Sequence, residues 1–291
     1  MNIFSSLLVF LKIAGISAAS GLHCQAGQEL YVIADNSPYL YHYGIASQTL
    51  HKILLDSTQT QEGIDKANKD DLEAIYPVGD ALLTVGSGST ANRRKAFIYY
   101  KSDNYVRRLS LDSLYDALAQ KGGLNQDNFN IEGIAYREGI WYFLNRGNGP
   151  DRNNMVFTFK GDSTLGFDKN SIEVHPVELP SIDSCPTGFS DGVLSGNRLW
   201  FIATAEDKAS NFEDGANKGS FLSYLDLESW QLGPIRQLSD HEKLEGITLY
   251  TDSIGRGNKG TKNTDFLFCE DPDDVTNSIC PIYRLADVVD Q

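Results

Sequence analysis

The chain has 291 residues, 41% of them hydrophobic and 22% charged, with a formal net charge of −14. That is enough chain for one large core or two ordinary ones, and its acidity without a basic stripe argues against nucleic acid or an anionic membrane surface as a partner and is most plainly a matter of solubility. The four cysteines, Cys24, Cys185, Cys269 and Cys280, form no CxxC pair, which excludes zinc-ribbon and thioredoxin chemistry, and no apolar run reaches the ~18 residues needed to span a bilayer.

The chain opens on MNIFSSLLVFLKIA, followed by GISAASGLHCQAG. One reading is a secretory leader with small residues at its cleavage site, which would make the protein periplasmic or secreted if residues 1–19 are removed. The other is a β-strand within the fold, with a cytoplasmic protein. No basic residue precedes the apolar run and Lys12 interrupts it, so the strand reading is favoured.

A phrase of acidic, small and aliphatic residues then recurs. It reads Glu73-Ala74-Ile75, Glu132-Gly133-Ile134, Asp191-Gly192-Val193 and Glu245-Gly246-Ile247, at intervals of 59, 59 and 54 residues. After each phrase come a turn and an apolar strand (ALLTVGSG, IWYFLNRG, LWFIATAE, DFLFCEDP), a polar loop, and a further strand (KAFIYYK, NMVFTFK, GSFLSYLD, CPIYRLAD). Three of these units continue into a weaker fourth strand. One period earlier, Ser20-Gly21-Leu22 starts the same pattern with serine in the acidic place, followed by ELYVIADN, LYHYGI and LHKILLD.

Four strands per ~55 residues, repeated, is the signature of a propeller, in which radially stacked blades bury what a lone sheet cannot. The fold expected is all-β: a single domain over residues 1–291, a five-bladed β-propeller of four-stranded antiparallel blades starting near residues 20, 73, 132, 191 and 245. The last blade has only ADVVDQ left for a fourth strand, so residues 5–14 are expected to complete it and close the ring, because an unpaired edge invites aggregation. One helix is expected at LDSLYDALAQK, where Leu111, Leu114, Tyr115 and Leu118 recur at helical spacing, Ser110 or Asp112 caps the start and Gly122-Gly123 stops it.

Antiparallel blades place the start of each inner strand and the end of the next at the same end of the barrel, and loops at one end of a rigid scaffold are where binding concentrates. The residues expected around that mouth are Ser20, Glu73, Glu132, Asp191 and Glu245 from the blade starts, with Asp35, Asn36, Ser87, Asn145, Arg146 and Glu206 from the strand ends and Arg93 nearby. Glu270 and Asp271 end the corresponding strand of the last blade. Glu73, Glu132, Asp191 and Glu245 repel one another unless raised pKa values, arginines or a cation neutralise them, and a calcium-like ion suits their oxygens. A recurrent polar residue at a blade start also has a plain structural use, a hydrogen bond to the neighbouring blade. The function expected is binding of a small molecule or divalent cation in a polar, acidic funnel; the alternative is a non-catalytic scaffold presenting its rim to a protein partner.

Other motifs dissolve. GSGSTA, from Gly86, matches a dinucleotide fingerprint but leads into Arg93, Arg94 and a strand where a helix is required; the arginines could meet an anion instead. The five histidines, His23, His42, His51, His175 and His241, show no metal-ligand spacing, and no GxSxG elbow is present. Cys269 and Cys280 face each other across a hairpin, which suits a disulfide in an oxidising compartment and free thiols in the cytoplasm.

The stretches SAASGL before ELYVIADNSPYLY, DLEAI before LLTVGSGS, NIEGIA before WYFLNRGN, and GFSDGV before LWFIATAED resemble an uncharacterised bacterial five-bladed propeller family, kin to phytase-like propellers. That resemblance implies an N-terminal segment inside the mature domain and a metal-assisted phosphoester or ester hydrolase, while CEDPDDVTNSIC departs from the pattern.

Overall fold

A computed structural model describes residues 7–147, 153–207, 216–251, 263–272 and 278–289. Five antiparallel sheets follow one another along the chain. Blade one comprises Ala19–Gln25, Glu29–Ala34, Tyr39–Gly44 and Thr49–Leu54; blade two, Leu72–Val78, Ala81–Gly86, Lys95–Tyr100 and Tyr105–Ser110; blade three, Ile131–Arg137, Ile140–Asn145, Met155–Lys160 and Glu173–Pro176. Blade four comprises Cys185–Ser195, Arg198–Asp207, Ala216–Asp226 and Arg236–Ser239, with the two-residue strand Ser181–Ile182 on its inner edge. Blade five comprises Leu244–Tyr250, Asn263–Glu270, Ile279–Val289 and the N-terminal strand Leu8–Ala14.

The five inner strands touch in a closed circuit, each against the next and the last against the first. Five hydrophobic clusters fill the five seams between blades. Ile33, Leu40 and Tyr31 meet Leu82, Phe97 and Tyr99 between blades one and two. Leu83, Val85 and Ile98 meet Trp141, Phe143 and Phe157 between two and three, and the pattern continues round to Ile13, Leu267 and Ile282 against Leu30 and Val32 between five and one. A sheet buried on both faces reads as a continuous apolar run, and Ala81–Gly86 is buried at every position. The outermost strands face solvent, and Thr49–Leu54 and Tyr105–Ser110 have no fully buried position.

The small residue of the recurring phrase is a packing requirement. A Cβ on Gly133 would lie 3.0 Å from the Gly192 nitrogen, and one on Gly246 would lie 2.8 Å from the Leu22 nitrogen, in each case in the next blade's inner strand. The inner strands thus approach as closely as backbone allows.

Ring closure follows the expected route. Leu8–Ala14 pairs antiparallel with Ile279–Val289, Ile13 opposite Cys280, with an irregularity between Val9 and Leu11; residues 5 and 6 lie outside the described residues. The C-terminal ADVV adds no fourth strand but prolongs the third, Val288 pairing with Thr264. The helix Asp112–Gly122 buries Leu114, Tyr115, Ala117 and Leu118 and ends on Gly123 at φ +65°. Its N-cap residue is Leu111, a buried core residue with no polar side-chain atom to offer; of the two caps expected, Ser110 stands one residue earlier and its Oγ accepts the Asp112 N–H at 3.2 Å. The four cysteines are unbridged and buried. Among the described residues no helix is long and apolar enough to cross a membrane.

Candidate functional site

Each inner strand begins with a β-bulge, a residue skipped by the ladder that turns its side chain out of the sheet alternation. The skipped residues are Ser20, Glu73, Glu132, Ser190 and Glu245. The first, second, third and fifth are those expected from the sequence; the fourth is not. Asp191 sits one position further on, in the place occupied elsewhere by Gly21, Ala74, Gly133 and Gly246. Its carboxylate accepts the backbone N–H groups of Gly192 at 2.7 Å and of Ile247, in blade five, at 3.0 Å. Two of the five bulge residues are therefore uncharged serines. Both bond inside the scaffold: Ser20 Oγ donates to the Leu72 carbonyl of blade two, and Ser190 Oγ donates to Thr204 Oγ1 at 3.0 Å.

The strand ends and the loops before each bulge bring cations to the carboxylates. The loop 57–71 delivers Lys69 and Asp71. Lys69 Nζ pairs with Asp35 and lies 2.8 Å from Asp71 Oδ1. Arg93 Nη1 donates to Asp71 Oδ2 at 2.8 Å, and Ser87 Oγ donates to the same oxygen. On the opposite arc Arg146 lies 3.8 Å from Glu132 and 3.5 Å from Glu206, and Asn130 Nδ2 donates to Glu132. Lys243 lies 3.6 Å from Glu206, 3.5 Å from Glu245 and 3.0 Å from Asp271. Among the described residues, six carboxylates (Asp35, Asp71, Glu132, Glu206, Glu245 and Asp271) share these four cations, and Glu73 stands beside them as a seventh.

Of the residues expected at the mouth, Asp35, Ser87, Arg93, Glu132, Arg146, Glu206 and Glu245 are joined in this network. Asn145 is part of the frame, accepting the Asn130 N–H at 2.9 Å and donating to the Asn128 carbonyl. Asn36 accepts the Ile64 N–H through its backbone, and its amide oxygen is buried without a hydrogen bond. Arg94 turns away to Asp116 on the helix. Lys69, Asp71 and Lys243 were not legible as site residues, although Asp71, Asn130 and Lys243 all stand two places before a bulge glutamate.

Glu73 differs from the rest. It is half-buried, and no hydrogen bond or ion pair engages it among the described residues. Burial, then Asp71, Glu132 and Asp35, push its pKa well above the usual carboxylate range, against the pull of Lys69. Burial also raises Glu132, to about 8, with Glu245 and Asp71 adding to it and Arg146 opposing. At Asp71 the order reverses: burial pushes up, but Lys69 and Arg93 outweigh it and hold the carboxyl below its ordinary value.

A calcium-type ion can be weighed against this geometry. Asp35, Asp71 and Glu73 offer oxygens within 4.8 Å of one another, a hard donor set. The Lys69 ammonium already lies on two of the three. The set Glu73, Glu132, Asp191 and Glu245 fits no better, since Asp191 is committed to backbone N–H groups. The residues present do not fit a resident calcium while Lys69 holds its place.

Residues 15–285 match the Family of unknown function (DUF6929). No curated protein matches the chain. Among solved structures, the major allergen Mala s 1 of Malassezia sympodialis is similar at a TM-score of 0.55 and 11% identity, over 96% of this chain and 97% of that one. A luciferin-regenerating enzyme is similar at a TM-score of 0.51 and 10% identity, over 96% of this chain and 94% of that one. At such identities the likeness is one of fold.

Proposed function

The chain belongs to DUF6929, a family of unknown function, and we therefore propose its function from the polar ring itself: a central funnel that binds a small organic cation, with Glu73 as its anchor. The observation that carries this reading is the carboxylate of Glu73, half-buried, without a hydrogen bond or ion pair among the described residues, and close to both the Lys69–Asp71 group and Glu132. Seven carboxylates against four cations leave a negative excess, and the pKa values of Glu73 and Glu132 are pushed up accordingly, that of Glu132 to about 8. A ligand carrying an ammonium or guanidinium group offsets that excess; an anion meets repulsion.

Ester or phosphoester hydrolysis is the second reading. It is favoured by one observation: the carboxyl oxygens of Asp71 and Glu73 come within 4.8 Å of each other while their surroundings push the two pKa values apart, Asp71 below and Glu73 above the ordinary range, the split that a general base and a general acid use. No step through a metal ion enters it. The allergen and the luciferin-regenerating enzyme share the fold at 10–11% identity and favour neither reading.

The binding reading is tested by calorimetric titration with agmatine, putrescine and choline. Saturable binding of at least one, lost in Glu73→Gln, supports it. Absence of binding by all three, or equal binding to Glu73→Gln, overturns it.

A further inference from the structure

Three of the chain's five histidines occupy a single row of blade one. The register pairs His23 with Tyr31, Tyr31 with His42, and His42 with His51, so one line of side chains crosses all four strands on one face of the sheet. Spacing along the sequence hides the row, because the residues come from four different strands. The rings are ordered: Tyr31 stacks on His42 at 4.6 Å with the planes 6° apart, and His42 lies 6.0 Å from His51.

The outer half of the row has the makings of a ligand set. His42 Nε2 lies 3.3 Å from Glu29 Oε2, yet this ring nitrogen is buried and has no hydrogen-bond partner. Two donors each ~2.0–2.1 Å from a tetrahedral centre stand about 3.3 Å apart, so the two atoms are spaced as neighbouring ligands of one ion. His51 is exposed and sits directly opposite His42, the two ring centroids 6.0 Å apart, so a turn of the exposed His51 side chain is what the site requires to complete the set. Tyr31 supports the set from behind: its hydroxyl donates to Glu29 Oε2 at 3.4 Å, and its ring fixes the plane of His42.

The inner half is unsuited. His23 is buried beside Lys101, whose ammonium also lies 5.9 Å from the Tyr31 ring and donates to Gln25. A cation is accommodated at the outer end, away from Lys101.

We propose that Glu29, His42 and His51 form a site for a borderline divalent transition-metal ion, of the zinc, nickel or copper class, on the outer part of blade one. Two imidazoles and one carboxylate, with water in the remaining position, match the ligand preferences of these ions and not those of calcium or magnesium. The site is separate from the funnel and shares no residue with it.

The test is a calorimetric titration of the metal-free full chain with Zn2+ at pH 7.5. His51→Gln is the main variant, because His51 is exposed and its loss leaves the fold intact; Glu29→Gln is the second. His241→Gln is the control, since His241 lies between two carboxylates, Asp240 and Glu242, well away from blade one. One equivalent is expected to bind, with affinity about tenfold weaker or worse in His51→Gln and Glu29→Gln and unchanged in His241→Gln. Failure of Zn2+ to bind, full retention in His51→Gln and Glu29→Gln, or loss only in His241→Gln overturns the proposal.

Discussion

Asp191, in blade four, accepts the backbone N–H of Ile247, in blade five, at 3.0 Å. A residue that looks from its sequence phrase like a member of the acidic ring is a rivet between two blades. Its carboxyl is buried, and burial raises its pKa well above the usual range while the two N–H groups pull the other way. Asp191→Ala strands the Ile247 and Gly192 N–H groups in the interior and is expected to cost about 1–3 kcal/mol. Asp191→Asn keeps an acceptor and is expected to cost less. Urea denaturation of the two variants checks the order; equal stability of Asp191→Ala and the parent chain would place the residue elsewhere in the scheme.

The repeat and the ring closure were legible because they rest on pattern. Apolar runs, turns and a period near 55 residues define blades, and an unfinished last blade calls for a strand from the other terminus. The one-residue offset in blade four was not legible. Asp191-Gly192-Val193 and Glu245-Gly246-Ile247 align by charge when read as letters, but the bulge matches Ser190, not Asp191, to Glu245, and the sequence carries no separate mark of a bulge. Lys69 and Lys243 were missed for a related reason. Loop residues enter a site by tertiary placement, and a lysine in a polar loop looks the same whether it is solvated or, like Lys69, only 13% exposed in its side chain against two aspartates. The histidine row shows the same limit across strands.

The N-terminal strand holds the fifth blade to the first through Ile13, which is 1% exposed and packs with Cys280 and Ile282. Ile13→Ala is expected to cost about 2–5 kcal/mol, and removal of residues 1–14 to abolish a cooperative thermal transition and promote association through the freed edge of Ile279–Val289. Thermal melts with size-exclusion chromatography decide this. A monomeric, cooperative truncated chain would remove the strand from the closure.

Glu132 links the ring to pH. Its pKa is about 8 in the fold, raised from 4.5 by burial first. A raised folded-state value means that its contribution is fully present below about pH 4.5 and is lost as pH rises through about 8, at up to about 1.4 kcal/mol per pH unit. Glu132→Gln imitates the protonated form. It is expected to match the parent chain near pH 4.5 and to exceed it in stability at pH 9. Parallel stability curves for the two chains across that range would contradict this origin.

Lys69 occupies the one three-carboxylate group of the ring whose oxygens converge. Lys69→Met leaves Asp35 and Asp71 without their ammonium and is expected to cost about 3–5 kcal/mol. Calcium is expected to raise the melting temperature of Lys69→Met and to leave that of the parent chain unchanged. A calcium-induced rise in the parent chain would show that the ion displaces the lysine.

The central claim is that Glu73 anchors a cation in the funnel, and the agmatine-induced shift in melting temperature, measured from pH 6 to pH 9 in the parent chain and in Glu73→Gln, tests it most directly. Burial, then Asp71, Glu132 and Asp35, push the Glu73 pKa well above the usual carboxylate range, so a bound guanidinium, which favours the ionised form, competes with proton binding there. The shift is expected to grow with pH in the parent chain and to be absent in Glu73→Gln. A shift of the same size in both chains, or none in either, would contradict the claim.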